Sequence, residues 1–93
     1  MCGDKKSDSC ENATIYVDTN GLTVTITMED KLGVVGYGIN QSAENEPSYI
    51  SIGNLKKVVK SYTSEKEGEY YVWVKNTLGN VSKAKFTLHS AKN

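Results

Sequence analysis

Between Leu22 and Glu29 the chain reads LTVTITME. Leu22, Val24, Ile26 and Met28 fall on one side of an extended backbone, and Thr23, Thr25, Thr27 and Glu29 on the other. Strict two-residue alternation, with β-branched polar residues outside, specifies a half-buried antiparallel strand and is incompatible with a helical period. The same pattern recurs along the chain. In ATIYVD, Ile15 and Val17 alternate with Thr14 and Tyr16. In VVGYGI, Val35, Tyr37 and Ile39 oppose Gly36 and Gly38, and two glycines on one face predict a bulge or a close neighbour. A short strand, YISI, follows. YYVWVK sets Tyr70, Val72 and Val74 against Tyr71, Trp73 and Lys75. VSKAKFTL sets Ala84, Phe86 and Leu88 against Lys83, Lys85 and Thr87.

Residues 55–62 are ambiguous. Leu55, Val58, Val59 and Tyr62 have helical spacing behind a possible Asn54 cap. A strand through Val59, Ser61 and Thr63 fits the all-β surroundings better. The total is seven short strands, the pattern of an antiparallel β-sandwich. Turns are expected at Asp18-Thr19-Asn20-Gly21, at Glu29-Asp30-Lys31 and at the Asn76–Asn80 hairpin, where Gly79 suits a left-handed position. Residues 40–48 form a polar loop holding the only proline, Pro47. Tyr37, Val72, Val74, Val24, Ile26, Phe86 and Leu88 should be buried.

With 93 residues the chain accommodates one domain. Residues 1–12 read as a polar tail, 13–90 as the domain and 91–93 as a C-terminal tail. Eleven basic residues balance eleven acidic ones. That balance argues against nucleic acid, which demands an excess of Lys and Arg. No apolar run is long enough for membrane insertion. Met1 is followed by Cys2, Gly3, Asp4 and Lys5, with no signal peptide, so the chain is expected to be a piece of a larger protein.

Three segments resemble the immunoglobulin-like repeats of bacterial surface proteins, including adhesins and multidomain secreted glycosidases. They are Asp30-Lys31-Leu32-Gly33-Val34-Val35-Gly36-Tyr37, Gly68-Glu69-Tyr70-Tyr71-Val72-Trp73-Val74-Lys75 and Leu78-Gly79-Asn80-Val81-Ser82. The resemblance covers roughly the last two-thirds of the chain. It implies a seven-stranded, antiparallel, immunoglobulin-like β-sandwich in an extracellular or cell-surface protein. Asn76 stands where those repeats usually carry Asp, and Leu78 where they carry Ala. The substitution at Asn76 weakens any carboxylate-dependent ion site. Such modules serve as spacers, stalks and adhesive tips alike, so the fold alone does not choose a role.

Few residues carry chemistry. The single histidine, His89, lies near the C-terminus without a nucleophile motif, so the chain is not expected to be an enzyme. Asp18, Asn20, Glu29 and Asp30 are oxygen ligands of the type calcium takes, but they match no complete loop, and strand-end turns explain them better. No metal and no cofactor is expected. Cys2 and Cys10 fit three readings: a disulfide, a lipidated Cys2, or added residues without natural function. A disulfide would close a loop of about nine residues and contribute at most about 3 kcal/mol. Sequons at Asn12, Asn40 and Asn80 have no force in a bacterial source.

Tyr70, two residues after Gly68 at a strand start, reads as a tyrosine corner whose hydroxyl bonds back to loop backbone. Tyr71 and Trp73 should point away from the core beside Lys83 and Lys85. They would either stack over a sheet surface or form a ligand-binding patch. Lys56, Lys57 and Lys60 read as a solvated face or as protection of an edge strand. The expected role is a non-catalytic spacer, stalk or structural repeat whose partners are the neighbouring domains of its parent chain. The alternative is recognition of a glycan or host protein through the aromatic face or loops.

Overall fold

The computed structural model describes residues 13–90. They form five antiparallel strands: β1 (Thr14–Asn20), β2 (Thr23–Asn40), β3 (Ile50–Thr63), β4 (Gly68–Asn76) and β5 (Val81–Leu88). Hydrogen bonding runs β1-β2-β4-β5, and β3 pairs with β2. The stretch at residues 55–62 is strand, with no helical turn.

The count is five strands where the alternation predicts seven. Two pairs of expected strands are continuous. LTVTITME and VVGYGI are the two halves of the 18-residue β2. YISI and the stretch through Val59 are the two halves of the 14-residue β3. The expected loop at Glu29-Asp30-Lys31 is an irregularity inside β2. The β2–β3 ladder jumps there from Glu29↔Lys57 to Val34↔Leu55, so β2 carries three extra residues. An insertion of this kind bends a strand and changes which residues face inward. Val24, Ile26 and Met28 before it and Val34 just after it point to the core; a second register shift, between Val34 and Gly36, then turns Tyr37 and Ile39 towards it. A parity switch looks the same in sequence whether a loop or a bulge causes it.

The first turn is also displaced. Asp18 to Asn20 are strand, paired as far as Asn20↔Thr23, so only Gly21 and Leu22 make the turn. Gly21 takes φ +64° at the first turn position, the requirement of a type II′ hairpin.

The bend lets the two halves of β2 contribute to one core. Val24, Ile26 and Met28 join Val72, Val74, Phe86 and Leu88 in it, with Tyr70 and Val58. Tyr37, expected to be buried, is half-buried, because its cross-strand neighbour Ile50 lies at the exposed start of β3. Within β3, Val58 turns inward and Val59 faces solvent.

The ladders also place the ends of the domain. β1 begins opposite Glu29, next to the bend. β5 finishes opposite Gly68, and the amide of His89 donates to the Gly21 carbonyl at 3.2 Å. Residue 13 therefore lies at one end of the β1–β2 ladder and residue 89 at the other.

Candidate functional site: the covered aromatic face

β4 carries the aromatic residues singled out above. Its Val72 and Val74 are buried in the core, which sends Tyr71, Trp73 and Lys75 to the opposite face. Trp73 lies between Gly38 on β2 and Lys83 on β5. An exposed platform is expected here, but Trp73 is only 6% exposed and Tyr71 is half-buried.

Trp73 is covered by the chain's own 41–49 segment. Gly36 and Gly38 share its face, and their missing side chains let this segment approach the sheet. A Cβ at Gly38 would sit 2.6 Å from Pro47 Cγ and 2.8 Å from the Ser48 carbonyl oxygen. Asn40 ties the segment down. Its Oδ1 accepts from Trp73 Nε1 at 2.8 Å and from the Ser42 amide at 3.3 Å, and its Nδ2 donates to the Asn45 carbonyl at 2.6 Å. Lys83 closes the other side. Its ammonium lies 5.0 Å from the Trp73 ring centroid and 5.8 Å from that of Tyr71, and it donates to the Ala43 carbonyl. Each such cation–π contact contributes about 0.5–1 kcal/mol at exposed sites. The two glycines and Pro47 were the sequence signal for the cover, but the partner of the glycines was not legible from spacing.

Tyr49 ends the covering segment, with Lys75 Nζ 4.3 Å from its ring centroid. Its hydroxyl is buried and makes no hydrogen bond of good geometry among the described residues, the Glu46 carboxylate being its one nearby acceptor. Burial first, then the charge of Glu46 and its hold on the phenol proton, push this phenol up to about 12. Burial disfavours the phenolate itself, and Glu46 disfavours a second negative charge beside its own.

Tyr70 faces the core. Its hydroxyl donates to the Lys66 carbonyl at 2.7 Å, and the Ser64 hydroxyl lies 2.7 Å away. Its ring stacks on Phe86 at 5.8 Å and meets Tyr62 edge-on at 6.1 Å. The phenol thus fixes the 64–67 loop to the core while its own polar atom stays satisfied.

Sequence reasoning missed a third feature, a buried polar pair beside the bend. Asp30 Oδ2 accepts from Asn76 Nδ2 at 3.0 Å, and its Oδ1 accepts from the Leu32 amide at 2.8 Å. Asn76 Oδ1 accepts from the amides of Leu78 and Asn80, both at 3.0 Å. Asn76 thereby organises the β4–β5 turn and joins it to β2. The departure from Asp noted at this position has a physical basis: an amide donates to Asp30, where a second carboxylate would repel it. Asp18, Asn20, Glu29 and Asp30 do not converge. No group of three or more His, Cys, Asp or Glu side chains placed to hold a metal occurs among the described residues. His89 is exposed beyond the end of β5. Cys2 and Cys10 lie outside the described residues.

No protein-family model and no curated protein matches the chain. Among solved structures, the PKD1 domain of Vibrio anguillarum Epp is similar, with a TM-score of 0.50 and 17% identity. The likeness covers 85% of this chain and 93% of that one. At that identity it shows the fold: the chain is an all-β domain of the immunoglobulin-like type to which PKD domains belong.

Proposed function

We propose that this domain is a non-catalytic, two-layered immunoglobulin-like module that serves as a spacer or structural repeat in an extracellular or surface protein of bacterial origin. The observation that carries this reading is the placement of residues 13 and 89 at opposite ends of the ladders. A chain passing through such a unit is carried from one end of it to the other, so copies or different domains line up in series. The likeness to a bacterial PKD domain supports the same reading at the level of fold. So do the side chains that recognition would use: Trp73 is already occupied by Asn40, Lys83 and the 41–49 segment. No helix among the described residues is long and apolar enough to cross a membrane. Recognition of a glycan or host protein through Tyr71 and Trp73, the alternative, requires that segment to move aside.

Force spectroscopy tests the spacer reading. Pulling between residues 13 and 90 loads the strands along their length, whereas pulling between residues 66 and 90 peels β5 from β4 one hydrogen bond at a time. A load-bearing spacer unfolds in one step at a clearly higher force in the first geometry. Equal or lower force there refutes the assignment.

A further inference from the structure

The last ladder pair at the end of β5 is Gly68↔Leu88, yet the chain stays bonded for two residues beyond it. The His89 amide donates to the Gly21 carbonyl at 3.2 Å, and the Ser90 amide donates to Glu67 Oε2 at 2.7 Å. The two acceptors belong to different flanks of β5. Gly21 lies in the turn between β1 and β2, and β1 packs against β5. Glu67 immediately precedes β4, the strand that β5 ladders with. Both acceptors stand on fixed backbone. Gly21 sits in a hairpin closed by the Asn20↔Thr23 pair. The loop that carries Glu67 is bonded to the same hairpin, since the Ser64 amide donates to the Leu22 carbonyl at 3.0 Å. Within it the Lys66 amide donates to Ser64 Oγ at 3.0 Å, and the Lys66 carbonyl accepts from Tyr70 at 2.7 Å. His89 and Ser90 are exposed, so these two bonds hold them where core packing does not.

We propose that Glu67 is a positioning residue for the chain's exit: it ties Ser90 to the body of the domain and so sets the direction in which the polypeptide leaves. A segment bonded at two successive residues, to two different flanks, cannot swivel about the end of β5. The bond from Ser90 is charge-assisted, the stronger kind of hydrogen bond. In keeping with it, the Glu67 carboxyl is held below its ordinary range, first by the hydrogen bonds from Ser90 and then by the charge of His89. On the spacer reading, a unit that follows would be held at a set angle, and a series of units would be stiff at this junction. That consequence rests on the spacer reading; the tie at Glu67 does not.

NMR relaxation and amide hydrogen exchange on the 93-residue chain test this. In wild type the Ser90 amide should show an order parameter near that of rigid backbone, about 0.85, and not the value below about 0.6 of a flexible segment. Glu67→Ala should speed exchange at Ser90 several-fold and lower its order parameter. Glu67→Gln keeps a neutral acceptor and should fall between the two. Glu65→Ala removes the same charge from the same loop without touching the exit, and should leave Ser90 as it is. Ser90→Pro removes the donor and keeps the carboxylate, so the Glu67 titration should move up towards the ordinary value of about 4.3. Thermal melts check that each variant folds. A flexible Ser90 in wild type overturns the inference. So does a Ser90 amide that Glu67→Ala leaves unchanged, or one that Glu65→Ala loosens equally. Either result leaves the spacer reading to its own force measurement.

Discussion

Replacing Asn76 by Asp tests the buried pair beside the bend with a change of one amide to one carboxylate. Asn76 is 2% exposed and Asp30 5%, so water does little to screen what happens between them. The substitution removes the Nδ2–H donated to Asp30 Oδ2 at 3.0 Å. A hydrogen bond to a charged group contributes about 1.5–3 kcal/mol. In its place stands a second carboxylate. Two like charges about 4 Å apart repel by about 4 kcal/mol at an effective dielectric constant near 20. The pair escapes most of that by holding a proton, and the O–H then replaces the lost donor. Asn76→Asp should therefore cost about 2–4 kcal/mol at pH 8. The deficit should shrink as pH falls towards the ordinary carboxylate range near 4. The sign follows from linkage. The pair binds its proton more tightly folded than unfolded, so the proton-held stability is present at low pH and is lost as pH rises. Urea denaturation of both proteins at pH 4.5 and pH 8 measures this. Asn76→Ala serves as the control: it loses the same donor and the turn bonds but adds no second carboxylate, so its pH dependence should have the same sign and be smaller. An Asn76→Asp variant as stable as wild type at pH 8, or equally destabilised at both pH values, refutes the reasoning.

Three further outcomes are expected. Tyr70→Phe removes the hydroxyl that holds the Lys66 carbonyl and should lower stability by about 1 kcal/mol in chemical denaturation. Tyr49→Phe deletes a buried hydroxyl that makes no well-formed hydrogen bond, so stability at pH 7 should hold or rise. Because the folded phenol is pushed up to about 12, wild type loses stability as pH climbs from about 10 to about 12, and the variant should lose less over that window. Gly38→Ala drives a Cβ into Pro47 and the Ser48 carbonyl. It should cost about 1–3 kcal/mol by overpacking and shift Trp73 fluorescence to the red as the 41–49 segment lifts; an unshifted spectrum counts against the covered face.

Period-two alternation alone was enough to identify the all-β class and most of the core. Val24, Ile26, Val72, Val74, Phe86 and Leu88 are buried on the rows where their spacing puts them. Alternation is local: it states which neighbours share a face, and a strand must bury the apolar face wherever it ends up. It does not state how many hydrogen-bonded strands those rows make. A bulge and a loop both switch parity, so only the ladder, with its shifts between Glu29 and Val34 and between Val34 and Gly36, shows that β2 runs unbroken through the bend. Nor can alternation say what covers the other face. The row opposite Val72 and Val74 is polar and aromatic, which suits solvent or another part of the chain equally well. Trp73 is buried because a segment some 25–30 residues earlier crosses Gly36 and Gly38 and bonds to Asn40. The same holds for Asp30 and Asn76, two turn residues whose pairing is invisible until the fold brings their side chains within 3.0 Å. Contacts between residues distant in sequence depend on the path of the backbone between them, and that path is decided when the bent sheet closes on its core.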